Sequence, residues 1–168
     1  LPIYLQVAMN RIKAKYEDII SIENLIAADQ IIRTRNDYSY RVEEFDRDWY
    51  NNIYQLHLDL SHFTYHHSGY DVFYVTGPDR KRRKISVCKS YRDRIVQKAI
   101  IIVIGKEMSN KFVGNTYASI PGRGAHKAIR KIESILSQSG DPIFCLQCDV
   151  HHFFEEIEAL FCIGFVLA

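Results

Sequence analysis

Nowhere does an uninterrupted apolar run approach the roughly 18 residues that a membrane-spanning helix needs. The opening LPIYLQVAMNRIKAKYEDII lacks the basic start, apolar centre and small-residue cleavage site of a secretory signal. The formal net charge is only +2, so global charge singles out no partner. No stretch is of low complexity and no segment repeats, which sets aside linker-like and repeat architectures. Cysteine is sparse: Cys88, Cys145, Cys148 and Cys162. Without a secretory signal these read as reduced thiols rather than a disulfide framework. The expectation is a cytoplasmic protein with no membrane partner.

What is present is an ordinary globular balance. The 168 residues are 47% hydrophobic and 25% charged, enough for one domain with a real core. SIENLIAADQIIRTR (21–35) reads as a helix that Ser21 can cap, with Leu25, Ala28 and Ile32 on one face. After the polar break NDYSY, residues Phe45, Trp49, Ile53, Leu56 and Leu60 fall at helical spacing, which predicts one long amphipathic helix. Val72–Val75 and Ile85–Cys88 are β-rich runs separated by GPDR, a turn sequence, so a hairpin with a basic tip is predicted. SYRDRIVQKAIIIVIGKEM reads as a mostly buried helix. PGRGAHKAIRKIESILSQS reads as a loop leading into a helix, with Ala128, Ile132 and Ile135 inward. PIFCLQCDV reads as a buried strand. The expected fold class is α/β (α+β).

Three features can carry chemistry. At the end of the last predicted strand, Asp149 shares a face with Cys145 and Gln147. A carboxylate there needs a charged partner, and Mg²⁺ is a natural one where phosphates bind. The alternative is that Asp149 caps a following helix. Cys145, Cys148 and His151 also have part of a zinc spacing, although a regular strand would send the two thiols to opposite faces.

The second feature is basic: Arg80, Lys81, Arg82, Arg83 and Lys84 crowd the hairpin tip, and Lys89, Arg92, Arg94 and Lys98 follow, interrupted only by Asp79 and Asp93. Such a patch attracts phosphates in a salt-dependent way, or is merely a solvated turn. Arg94, just before Ile95 and Val96, is placed to grip a triphosphate bidentately. The third feature is Gly122-Arg123-Gly124 at a helix start, where backbone N–H groups can hold an anion, or which is simply a turn.

Taken in order, three stretches resemble the N-terminal part of a reverse transcriptase of bacterial retroelements, of the group II intron and diversity-generating type. RKISVCKSYRDRIVQKAI resembles that family's fingers segment. NTYASIPGRGAHKAI is similar to its next block, a Tyr-Ala turn leading into Gly-Lys/Arg-Gly-x-His-x-Ala. FCLQCDVHHFFEEI resembles its first palm motif, FLxxDxxxFFxxI, with Cys145 where leucine stands. The resemblance covers about residues 20 to 157. Ile120 departs from the arginine of group II relatives, which leans it toward the diversity-generating or a phage-associated branch.

The resemblance implies a partial right-hand polymerase fold, with fingers over 1–140 and the start of a palm over 141–168. It implies an RNA-directed DNA polymerase that copies an RNA template from a DNA primer, using deoxynucleotides and two Mg²⁺ ions. Asp149, joined by the Val150 carbonyl, would be the metal ligand. Arg83 and Arg94, helped by Lys84 or Lys89, would hold the triphosphate, touched also by amides near His152 and Phe153. A ring at Phe154 would exclude a 2′-hydroxyl. Arg80, Lys81, Arg82 and Arg123 would contact nucleic acid. Diversity-generating relatives work with a small basic accessory protein, a further implied partner. The family's Asp-Asp hairpin and thumb have no counterpart in these residues, so the expectation is a fragment that does not polymerise alone. Two other readings stand: a non-catalytic nucleic-acid-binding module of the same fold, and an unrelated α/β domain with zinc at Cys145, Cys148 and His151.

Overall fold

A computed structural model describes residues 13–34, 39–118, 120–140 and 144–150. The fold class is mixed: six helices and one two-stranded antiparallel sheet among the described residues. The chain divides into two units, Ala14–Glu107 and Met108–Ala168 with Leu1–Lys13.

In the first unit, α1 (Tyr16–Ile20) leads directly into α2 (Ile22–Arg33). Ser21 lies between them and caps α2 as predicted, its hydroxyl accepting from the Asn24 amide at 3.2 Å. That bond satisfies one of the free N–H groups at the start of α2. Leu25, Ala28 and Ile32 are buried on one face of α2. The long helix expected next is two: α3 (Tyr40–Asp46) and α4 (Trp49–Ser61). Asp48 leaves helical geometry, with φ −144° and ψ 56°. The carbonyl of Phe45, released from the ladder, accepts instead from the Asn52 side-chain amide at 2.8 Å. Hydrophobic spacing survives such a break, which is why the pattern alone conceals it.

A ribbon follows: β1 (Tyr70–Thr76) pairs antiparallel with β2 (Arg82–Cys88) in the register Tyr74↔Lys84. Then α5 (Tyr91–Ser109) lays its first half into the core. The core joins Ile20, Leu25, Ala28, Ile32, Val42, Phe45, Ile53, Leu56, Leu60, Tyr91, Ile95, Val96 and Ala99. Its centre includes an edge-on pair of Phe45 and Tyr91, with ring centroids 5.2 Å apart. The second half of α5 is not buried as predicted: Ile101 is 60% exposed.

In the second unit, α6 (Ala125–Gln138) starts where the glycine loop predicts. It buries no residue, and Ile132 and Ile135 are exposed rather than inward. Residues 144–150 form no strand and are exposed, with Phe144 and Leu146 almost wholly so. A strand exists only through hydrogen bonds to a neighbour, and no described residue supplies one here. No helix among the described residues is long and apolar enough to cross a membrane.

Candidate nucleic-acid interface

The ribbon is anchored at one end and free at the other. At its base Cys88 is buried, Lys89 N–H donates to the Gly69 carbonyl at 3.0 Å, and Gln97 donates to the Tyr70 hydroxyl. Arg41 donates to the Asp71 carboxylate at 2.6 Å and to the Lys89 carbonyl at 3.0 Å. Beneath, buried Asp93 accepts from the Tyr65 hydroxyl at 2.6 Å and the Ser68 amide at 3.0 Å. Burial and then this bond hold the Tyr65 phenol above its ordinary pKa. A lone hairpin is marginal in water, so these bonds let it project.

Beyond the base, Tyr70–Thr76 and Arg82–Lys84 are all exposed. Residues opposite each other in the register share a face. Tyr74 and Lys84 therefore lie with Thr76 and Arg82, while Phe73 and Ile85 lie with Val75 and Arg83. The Arg82 guanidinium sits over the Tyr74 ring, 4.2 Å from its centroid, a cation–π contact between diagonal neighbours. One face thus presents an aromatic ring braced by cations, and the other is largely apolar.

The tip turns through Gly77–Lys81. Gly77 N–H donates to the Lys81 carbonyl at 3.0 Å, and Arg80 N–H to the Gly77 carbonyl at 2.9 Å. Arg80 occupies the left-handed region at φ 60°, a position that usually goes to glycine. A Cβ at Gly77 would meet Arg83 Nη1 at 2.2 Å and displace that exposed guanidinium. Arg83 lies across Gly77 and forks onto Asp79, at 2.8 and 2.5 Å. That bond lowers the Asp79 pKa and raises that of Arg83. Among the described residues, Arg83 is the one of the five tip cations tied to a carboxylate; Arg80, Lys81, Arg82 and Lys84 are not.

The other expected site residues are distributed. Arg94, half-buried on α5, lies 5.7 Å from the Tyr91 ring centroid. It lines a cavity of about 240 Å³ with Ile31, Ile32, Gln97, Lys98 and Ile101. In the second unit, Arg123 Nη1 donates to the carbonyls of Val113, Gly114 and Thr116. Asp149 is exposed, and its carboxylate accepts from the Val150 amide at 3.0 Å. Among the described residues, no other expected site residue is among its hydrogen-bond partners. His151, His152, Phe153 and Phe154 lie outside the described residues.

The metal donors can be tested by their number. Asp149 and the Val150 carbonyl offer few oxygens, and no three His, Cys, Asp or Glu residues come together among the described residues. Two Mg²⁺ ions need several carboxylates and substrate oxygens, so these residues alone do not fit the pair. Cys88, Cys145 and Cys148 are free thiols.

The structure also shows a hub that sequence reading passed over. Buried Asp29 accepts from Arg33 Nε at 2.8 and 2.9 Å, Trp49 Nε1 at 2.9 Å and the Tyr91 hydroxyl at 2.7 Å. Arg33 also forks onto Asp46, and both carboxylates hold its guanidinium protonated. The available signal was an acid beside Leu25, Ala28 and Ile32 with Arg33 four residues on. No protein-family model matches the chain, and no curated protein matches it.

Proposed function

We propose that this chain is a nucleic-acid-binding fingers region of a reverse transcriptase, with the ribbon as its contact to an RNA template or RNA–DNA duplex. The observation that carries this reading is the ribbon itself. It projects from a fixed base, keeps four cations outside ion pairs with the described residues, and sets one of them on an exposed tyrosine. Cations positioned along a strand pair meet phosphates. A ring with an open edge beside them offers a stacking surface to an unpaired base. The order of sequence blocks around it supports the polymerase assignment.

In this reading Arg83 from the ribbon and Arg94 from α5 hold the triphosphate, and Phe154 carries the preference for deoxynucleotides. Catalysis needs further carboxylates besides Asp149, and Mg²⁺ chemistry belongs to that larger set. The second reading, a non-catalytic binding module, rests on the same basic ribbon without the chemistry. Magnesium-dependent primer extension by this polypeptide would exclude it.

The test is salt-dependent binding of a short single-stranded RNA. Replacing Arg80, Lys81, Arg82 and Lys84 with neutral residues, while leaving the Asp79–Arg83 pair, removes four uncompensated charges. The slope of log affinity against log salt should fall by about 3, at roughly 0.7 for each phosphate lost. An unchanged slope and affinity would make the tip a solvated turn.

A further inference from the structure

We propose that a cavity beside the start of α6 is a binding site for a phosphate group. The cavity encloses about 370 Å³ and is lined by Gly122, Arg123, Gly124, His126, Lys127 and Arg130. Three of these six residues, Arg123, Lys127 and Arg130, are cationic, His126 adds an imidazole, and none is acidic. That is unlike the ribbon tip, where Asp79 neutralises Arg83.

The cations are also uncommitted. Among the described residues, no hydrogen bond or ion pair holds the side chains of His126, Lys127 and Arg130, although the Lys127 amide donates to the Gly124 carbonyl at 3.0 Å. Glu133, three residues beyond Arg130, does not pair with it. Residues three and four apart share a helix face, so His126, Lys127 and Arg130 project to one side, where the charges of Lys127 and Arg130 repel. A ligand with several negative oxygens relieves that repulsion. Arg123 completes the wall in a fixed pose. Its Nη1 holds three carbonyls of the 113–116 turn, at 3.4, 3.3 and 3.1 Å. Its Nε and Nη2 remain for a ligand. Two guanidinium forks and an ammonium match the several acceptors of a phosphate better than the two of a carboxylate.

The phosphate can come from a nucleic-acid backbone or from free phosphate. The first source rests on the proposed function, whereas the site itself does not. Both are separated by titrating the full chain and its Lys127→Ala/Arg130→Ala variant, both of whose changed residues are exposed. Inorganic phosphate, against chloride at matched ionic strength, should move the amide resonances of residues 122–130 saturably in the wild type and not in the variant. With single-stranded RNA the variant's salt slope should fall by about 0.7, the share of one phosphate. The ribbon substitutions should remove about 3 independently. Absent or non-saturating shifts, or shifts that persist in the variant, overturn the site. Shifts with an unchanged RNA slope uphold the site and assign it to free phosphate. If the chain binds no RNA at all, the proposed function fails, and the phosphate titration still decides the cavity.

Discussion

Removing the Asp29 carboxylate should cost this protein far more than removing Asp46, although each offers Arg33 two contacts. Asp29 is 2% exposed, and its side chain also satisfies Trp49 Nε1 and the Tyr91 hydroxyl. Asp29→Ala strands those two donors, each worth about 1–3 kcal/mol when a buried partner is lost. Arg33 is spared the full cost of an unpaired charge, because Asp46 still holds it. The loss should therefore reach about 2–5 kcal/mol, a large part of the roughly 5–15 kcal/mol that a domain has. The Asp46 side chain is 42% exposed, so Asp46→Ala should cost less than about 1 kcal/mol. Urea unfolding followed by the single tryptophan, Trp49, and by far-ultraviolet circular dichroism measures both, with the midpoint moving and the slope constant. Equal midpoint shifts for the two variants would refute the reasoning, since burial would then not govern the cost.

Other outcomes follow from the same geometry. Arg80→Gly should raise stability by about 0.5–1 kcal/mol by relieving the left-handed residue at the tip, while weakening RNA binding; a loss of stability in urea would contradict it. Burial and then the bond to Asp29 raise the Tyr91 phenol pKa above its ordinary 10.0. A raised pKa means stability is full below that value and falls as pH rises beyond it, by up to about 1.4 kcal/mol per pH unit. Tyr91→Phe should flatten this alkaline decline in unfolding experiments, and an unaltered decline would reject the assignment. Ser21→Ala should cost about 1 kcal/mol through loss of the α2 cap, read from the urea midpoint.

Sequence alone determined the features that depend on near neighbours. The Ser21 cap, the Leu25, Ala28 and Ile32 stripe, and the hairpin with its GPDR turn are settled within a few residues, by side-chain periodicity and turn chemistry. The glycine loop before α6 belongs with them. The basic tip could likewise be located, and its Asp79–Arg83 pair spans only four positions. Tertiary structure decided the rest, because burial and pairing depend on groups far apart in the chain. Asp29 becomes a hub through Tyr91, 62 residues away, and Asp93 anchors the ribbon through Tyr65, 28 residues away. The break before Trp49 lets the indole reach Asp29, which no local pattern announces. Ile132 and Ile135 carry a helical stripe like that of α2, yet only α2 finds a core to bury it. Residues 144–150 alternate like a strand but meet no backbone to pair with among the described residues. Periodicity states what a face can do; a partner supplied from elsewhere in three dimensions decides whether it does it.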